Sequence, residues 1–249
     1  MSFWPVVKKV IKDSDIVLMI RDIRFPFISR NKEVERYVRF YRKRLVNVFT
    51  KIDLVRDDFV KEVKENFPNS YFVSGTKNID VGVLKKGIFS IAKELGIDEP
   101  FVGVVGYPNT GKSTLINTIA GKRKAQVSTY AGTTKNIQWI KVDGLRILDS
   151  PGVIPMGDRE LELGLMGAKN PEKLKNPEKV VFAILERLVR NEPEKLEKRY
   201  SIKIGEKEVY EIFEEIARKK GFLVKGGNID ENRTRIQILK DWQKGKISG

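Results

Sequence analysis

Apolar runs of strand length punctuate the first two thirds of the chain: DIVLMI (15–20), LVNVFT (45–50), SYFVS (70–74) and FVGVVG (101–106). Between them lie stretches with helical spacing. NKEVERYVRFYRKRL and DDFVKEVKENF are two, and IDVGVLKKGIFSIAKELG, with Val83, Ile88, Ile91 and Leu95, is a third. After FVGVVG come the helix STLINTIAG and a loop rich in Lys, Ser, Thr and Gly over 121–136. The strands IQWIKV and LRILDS follow, joined at Asp143-Gly144, a two-residue hairpin signal. This alternation predicts an α/β fold: an open, mostly parallel sheet flanked by helices, with one antiparallel hairpin. Ligands bind such sheets at the carboxyl ends of the strands.

Beyond residue 168 the strand pattern fades. Val180, Ile184, Leu185 and Leu188 share one helical stripe; Val209, Phe213 and Ile216 form another, and Ile236, Leu239 and Trp242 a third. The pattern predicts an α/β domain over residues 1–168 and an all-α domain over 169–249, with GAKNPEKLKNPEK, containing Pro171 and Pro177, at the junction.

Composition narrows the chemistry. The chain has 249 residues, no cysteine and no histidine, so disulfides, thiolate metal sites and imidazole bases are excluded. No apolar run is long enough for a bilayer span, and lysines interrupt the N-terminus where a signal peptide needs an apolar core. A cytoplasmic setting with no membrane and no disulfide partner is the expectation. A formal charge of +15 points to a polyanionic partner, nucleic acid or ribonucleoprotein.

Three loops at strand ends carry the candidate site. Asn109, Thr110, Gly111, Lys112, Ser113 and Thr114 lie within GYPNTGKST, a P-loop pattern set between a strand and a helix. Its backbone N–H groups can cradle phosphate, Lys112 can reach the β- and γ-phosphates, and Ser113 can bind Mg2+. DSPG supplies Asp149 for Mg2+, through its water, and Gly152 for the γ-phosphate. Thr133 and Thr134 both offer a further hydroxyl to Mg2+, with Thr134 preferred. Thr50, Lys51, Ile52 and Asp53 follow the second strand. A carboxylate at Asp53 accepts from guanine N1–H and the 2-amino group, donors that adenine does not present together. Ser74 and Gly75 end the third strand as a second base-contacting loop. Lys112, Thr134 and Gly152 are the groups expected to act on the reacting phosphate.

In an ordinary GTPase the P-loop precedes the base-reading loop; here the order is reversed. Joining the last helix of a Ras-like sheet to its first strand, and opening the chain after DxxG, gives the order observed. The joint falls at ELGIDEPF, residues 94–101. The fold expected is a circularly permuted Ras-like P-loop G domain with a C-terminal all-α domain.

With these motifs the chain resembles the YlqF/RbgA-type circularly permuted GTPases, which act in assembly of the large ribosomal subunit. The resemblance extends to DIRFPFISRN, similar to the family's Asp-Ala-Arg-x-Pro…Arg-Asn segment, and to the tail KKGFLVKGGNIDENRTRIQILKDWQKGKISG. Thr50 departs from the family's Asn, and the N-terminal aromatic-Pro-Gly-His segment of many relatives is here only Phe3-Trp4-Pro5. The resemblance implies GTP hydrolysis, ribosome or rRNA binding, Mg2+ and K+, the last at Asn109. The position where a Ras-type enzyme carries glutamine is Val153, so slow intrinsic turnover is expected. Lys219, Lys220, Lys225, Arg233, Arg235, Lys240 and Lys244 are the tail cations expected to meet RNA. Arg39, Arg42, Lys43 and Arg44, beside Tyr37, Phe40 and Tyr41, form a second basic cluster. The competing reading is a GTP-dependent protein-binding switch with no ribosomal role.

Overall fold

The computed structural model describes residues 3–121, 126–128 and 138–248. The chain divides into two compact units, Met1–Met156 and Gly157–Gly249.

In the first unit a seven-stranded sheet has the order β3-β2-β1-β4-β7-β6-β5. The strands are β1 (Ile16–Asp22), β2 (Arg44–Thr50), β3 (Ser70–Phe72), β4 (Phe101–Gly106), β5 (Gln126–Ser128), β6 (Gln138–Val142) and β7 (Leu145–Asp149). The five from β3 to β7 in that order are parallel, and β6 runs antiparallel to both β7 and β5. Every residue of β1 is buried, as its unbroken apolar run requires of a strand covered on both faces. Asp143 and Gly144 both have positive φ, 44° and 82°, the conformation a two-residue hairpin of this twist demands.

Helices α2 (Lys32–Phe40), α3 (Asp57–Asn66), α4 (Val81–Glu94) and α5 (Lys112–Ala120) occupy the stretches with helical spacing. Asn31 starts α2 by accepting a hydrogen bond from Val34 N–H at 3.0 Å. The apolar pattern assigns no element to residues 4–13. They form α1 (Trp4–Asp13), opened by Pro5, with Val7, Val10 and Ile11 buried against Val17, Met19 and Val105. Two cores result. Leu18, Val48, Leu84, Ile88, Val104 and Leu115 belong to one, and α1, α2 and Val153 join the other.

The second unit is helical: α6 (Glu160–Leu165), α7 (Pro177–Asn191), α8 (Pro193–Tyr200), α9 (Val209–Lys219) and α10 (Glu231–Gln243). The boundary at Met156–Gly157 lies upstream of the expected 168/169. The reason is packing. Leu163, Met166 and Ala168 are buried, a Cβ on Gly164 would stand 2.6 Å from a Val180 methyl, and Trp242 Nε1 donates to Leu165 O at 2.6 Å. Pro171 and Pro177 are helix-starting residues, one in a 3-10 turn and one at the head of α7. No helix among the described residues is long and apolar enough to cross a membrane.

Trp242 is fully buried and ties α10 to the segment that begins the unit. Trp242→Ala is expected to cost about 3–5 kcal/mol, through lost burial and an orphaned carbonyl. Denaturant unfolding followed by far-ultraviolet dichroism measures it, and a loss below about 1 kcal/mol would contradict this account of the helical core.

Candidate functional site

β1, β2, β3, β4 and β7 all end at one edge of the sheet, and the segments the sequence singled out leave from those ends. The loop after β4 is held from within. Thr110 is fully buried and its hydroxyl donates to Tyr107 O at 2.9 Å. Gly111 caps α5 with φ of 94°, a conformation a side chain would strain. Lys112 Nζ donates to Tyr107 O at 2.6 Å and Gly106 O at 3.3 Å. Burial pulls its ammonium down to about 8; the Asp149 charge opposes this and Lys51 adds to it. Asn109 is exposed with φ of 59°.

Asp149 ends β7 and hydrogen-bonds Ser113, while its Oδ1 is buried with no protein partner. Burial raises its carboxyl, against the opposing pull of Lys112. A hydroxyl and an orphaned carboxylate oxygen beside a helix N-terminus suit Mg2+, which keeps waters and phosphate oxygens among its ligands. No group of three or more His, Cys, Asp or Glu gathers as a metal site among the described residues. Gly152 lies so close to the loop that a Cβ there would sit 2.5 Å from Pro108 N. Val153 is buried, and its N–H donates to Gly106 O at 3.2 Å. Thr133 and Thr134 lie outside the described residues.

The loop after β2 is hydrogen-bonded to the loop after β4. The Thr50 hydroxyl lies 2.5 Å from Thr110 O and 3.1 Å from Arg21 O, both acceptors, and the residue is buried. Lys51 takes a left-handed φ of 64°, and its Nζ donates to Asn109 O and to Asp22 Oδ2, each at 2.7 Å. Ile52 packs beside the Phe49, Val60 and Phe72 cluster. Asp53 follows with Oδ1 buried and without a partner, while its Oδ2 accepts from the Thr76 hydroxyl at 3.3 Å. Ser74 is fully buried, and its Oγ accepts from Lys77 N–H. Gly75 O accepts from Thr118 of α5 at 2.8 Å, and a Cβ on Gly75 would meet Thr114 at 3.1 Å.

Sequence reasoning assigned Asp22 no role, although it lies in the DIRFPFISRN segment. It sits buried at the end of β1, paired with Arg24 Nη2 at 2.8 Å and with Lys51. Burial alone would raise its carboxyl; the Arg24 and Lys51 cations hold it well below the usual carboxylate range. Its signal in the sequence was a charged pair, Arg21-Asp22, closing an otherwise apolar strand.

In the second unit, Lys219, Lys220, Lys225, Arg233 and Lys244 are exposed. The Arg233 guanidinium lies over the Phe222 ring, 4.4 Å from its centroid. Arg235 is held by Glu231 and Glu178, and Lys240 by Glu172 at 3.0 Å.

The family described as 50S ribosome-binding GTPase matches residues 101–224, beginning at the first residue of β4, so the base-reading loops fall before it. An uncharacterized GTP-binding protein of Methanocaldococcus jannaschii is 37% identical over 98% of this chain and 65% of its own length. Nucleolar GTP-binding protein 2 of Saccharomyces cerevisiae is 34% identical over 98% of this chain and 52% of its own. The chain thus spans about two thirds and about half of the lengths of these curated relatives. Among solved structures, GDP-bound YlqF matches with a TM-score of 0.69 and 28% identity, covering 97% of this chain and 95% of the other. GNP-bound YlqF from T. maritima matches at 0.64 and 26%, over 98% and 94%. With its P-loop strand fourth in the chain and a match to the 50S ribosome-binding GTPase family over residues 101–224, this protein has a GTPase domain and the fold of the circularly permuted GTPase YlqF.

Proposed function

We propose that the chain binds GTP, hydrolyses it to GDP and phosphate, and acts as an assembly factor for the large ribosomal subunit by contacting rRNA. The observation that carries the nucleotide reading is the pair of orphaned buried oxygens, Asp53 Oδ1 in the loop after β2 and Asp149 Oδ1 at the end of β7. Unpaired buried acceptors are costly, and a guanine edge and a hydrated Mg2+ are the complements each would accept. The ribosomal part rests on the matched family's description and on relatives named as nucleolar GTP-binding proteins.

In this reading Asp53 orients the guanine, with Ser74 and Gly75 behind it. The N–H groups from Asn109 to Thr114 and the Lys112 ammonium hold the phosphates, and Gly152 N–H meets the γ-phosphate. Ser113 and Asp149 would hold Mg2+, which neutralises charge on the phosphate oxygens. Thr134 is the remaining hydroxyl proposed for it, and Asn109 the residue for K+. The chain has no histidine, and Val153 is apolar and packed in the core, so this loop position offers no side chain to polarise water. Turnover is therefore slow until a partner supplies the missing group. Lys219, Lys220, Lys225, Arg233 and Lys244 contact RNA; Arg235 and Lys240 already have carboxylate partners and drop out.

GTP turnover in potassium buffer, alone and with large or small ribosomal subunits, tests the whole reading. Strong stimulation by large subunits only is expected; equal turnover in all three sinks the ribosomal role. Sodium in place of potassium should slow turnover, and no change would remove the cation from Asn109.

Asp53→Asn should weaken GDP binding about 10²–10⁴-fold, two charge-assisted hydrogen bonds being worth about 1.5–3 kcal/mol each. Xanthosine diphosphate, whose 2-oxo group accepts where guanine donates, should lose far less. A parallel loss of both nucleotides would place Asp53 away from the base.

The ammonium of Lys112 sits at about 8 in the free protein because of burial. A phosphate favours the charged form and raises that value in the complex. Affinity is therefore full below about pH 8 and falls as pH rises through it. Titrating GDP from about pH 7 to about pH 9 reads the decline, and Lys112→Arg should flatten it. A flat wild-type profile would show that Lys112 does not reach the phosphates.

A further inference from the structure

The sheet edge opposite the phosphate loop carries a cavity of about 810 Å3, formed where the chain enters β2 and β3 and by α4. That volume lies in the range of about 300–1,000 Å3 typical of sites that enclose a small organic group. Leu45, Ile91 and the half-buried Tyr71 make an apolar part; Lys43, Arg44 and Asn69 make a polar and cationic part. No acidic side chain lines it. Arg44 has only a loose ion pair, 4.0 Å to Glu94. Arg39, Arg42 and Lys43 have no carboxylate partner among the described residues.

The turn leading into this wall adds an aromatic surface. α2 closes as Arg42 N–H donates to Arg39 O and Lys43 N–H to Val38 O, each at 3.0 Å, with Arg42 at a φ of 52°. Phe40, three residues before Lys43, stands 75% exposed with its ring edge-on to Tyr41 at 5.0 Å. Tyr37, by contrast, is occupied by Trp4, Lys8 and Arg36 and takes no part.

An unpaired nucleotide has a complement for each feature: phosphates for the free cations, a π-face for Phe40, and a base edge for Asn69 and Ser70 at the cavity. A duplex keeps its bases stacked and paired, so it can offer the phosphates but not the base. We propose that this edge of the sheet docks a single-stranded RNA segment, with one unpaired base in the cavity and the flanking phosphates on Arg39, Arg42 and Lys43. The proposal rests on the RNA-binding reading above and adds a second surface, far in sequence from α9 and α10.

The test is fluorescence anisotropy of the full chain with a labelled single-stranded 12-mer RNA, a labelled RNA duplex, and unlabelled AMP as competitor, at several salt concentrations. The variants are Phe40→Ala alone and Phe40→Ala with Arg39→Glu and Arg42→Glu. All three positions are exposed and outside the nucleotide machinery, so basal GTP turnover should be unchanged and reports that each variant folds. The triple variant should bind the 12-mer at least tenfold more weakly, with a salt slope shallower by about 1.4, about 0.7 for each lost phosphate contact. Phe40→Ala alone should weaken the 12-mer about fivefold or more and leave the duplex unchanged. Unchanged 12-mer affinity in both variants overturns the proposal. So does an equal loss for duplex and single strand in Phe40→Ala, or displacement of the 12-mer by millimolar AMP, which would mark a small-nucleotide site. Intact, variant-sensitive 12-mer binding without ribosomal stimulation of turnover would defeat the assembly role alone.

Discussion

One buried carboxylate holds the functional edge of this sheet together. Asp22 is fully inaccessible, and two cations converge on it: Arg24, equally buried, and Lys51, which reaches in from the next strand. Lys51 also donates to the phosphate loop at Asn109 O. One ammonium therefore ties together the end of β1, the loop after β2 and the loop after β4. Removing one partner of a buried pair leaves an uncompensated charge and costs about 3–5 kcal/mol, so none of the three segments can shift alone without that penalty. The left-handed backbone at Lys51 belongs to the same arrangement, because it is the conformation in which this side chain makes both contacts.

These cross-links join loops that lie far apart in the chain and adjacent in the sheet. β1 lies between β2 and β4, pairing in parallel with both, so residues 22, 51 and 109 meet although they leave from three different strands. A parallel sheet depends on which strands neighbour each other, and the connection from α4 to β4 needs only the short segment after Glu94. Thr50 to Thr110 and Thr118 to Gly75 repeat the design, each joining a base loop to the phosphate loop or its helix. Thr50 does this with a hydroxyl where the resemblance led one to expect an amide. Its short side chain meets two carbonyls at a buried position.

Much of this was legible in the sequence because each loop follows an apolar run ended by residues with one dominant local use. Asp143-Gly144 specifies its hairpin by positive φ alone, and Gly111-Lys112 its helix start. The misses share a cause: signals too short or too non-local. α8 buries only Leu196 and Tyr200, and two apolar residues do not make a period. The pattern ELELGL of α6 reads as alternation, yet Leu163 is buried and Gly164 lies against Val180, so packing within the unit decides the helix. The prolines at 171 and 177 looked like a linker because proline breaks helices. At the first helical turn it starts them instead, and Ala168 and Leu174 between the supposed domains are buried. Asp22 was invisible for a further reason: its partner Lys51 is 29 positions away, and nothing local distinguishes a buried carboxylate from a solvated one.

Val153 sets the limit on what the site does by itself. A side chain that polarises water has to be polar and free to face the reacting phosphate. Val153 is neither: it packs with Val34, Val105 and Leu148, its N–H is taken by Gly106 O, and Asn31 Nδ2 approaches its carbonyl at 3.5 Å. Placing a polar group there would bury it among apolar neighbours at a cost of about 1–3 kcal/mol, so the core itself disfavours a self-sufficient catalyst. The same packing has a use. It fixes Gly152 against Pro108, where a Cβ would stand 2.5 Å from the Pro108 nitrogen. Under the function proposed above, a site built this way would hold the terminal phosphate through backbone groups and leave the polarising of water to a partner.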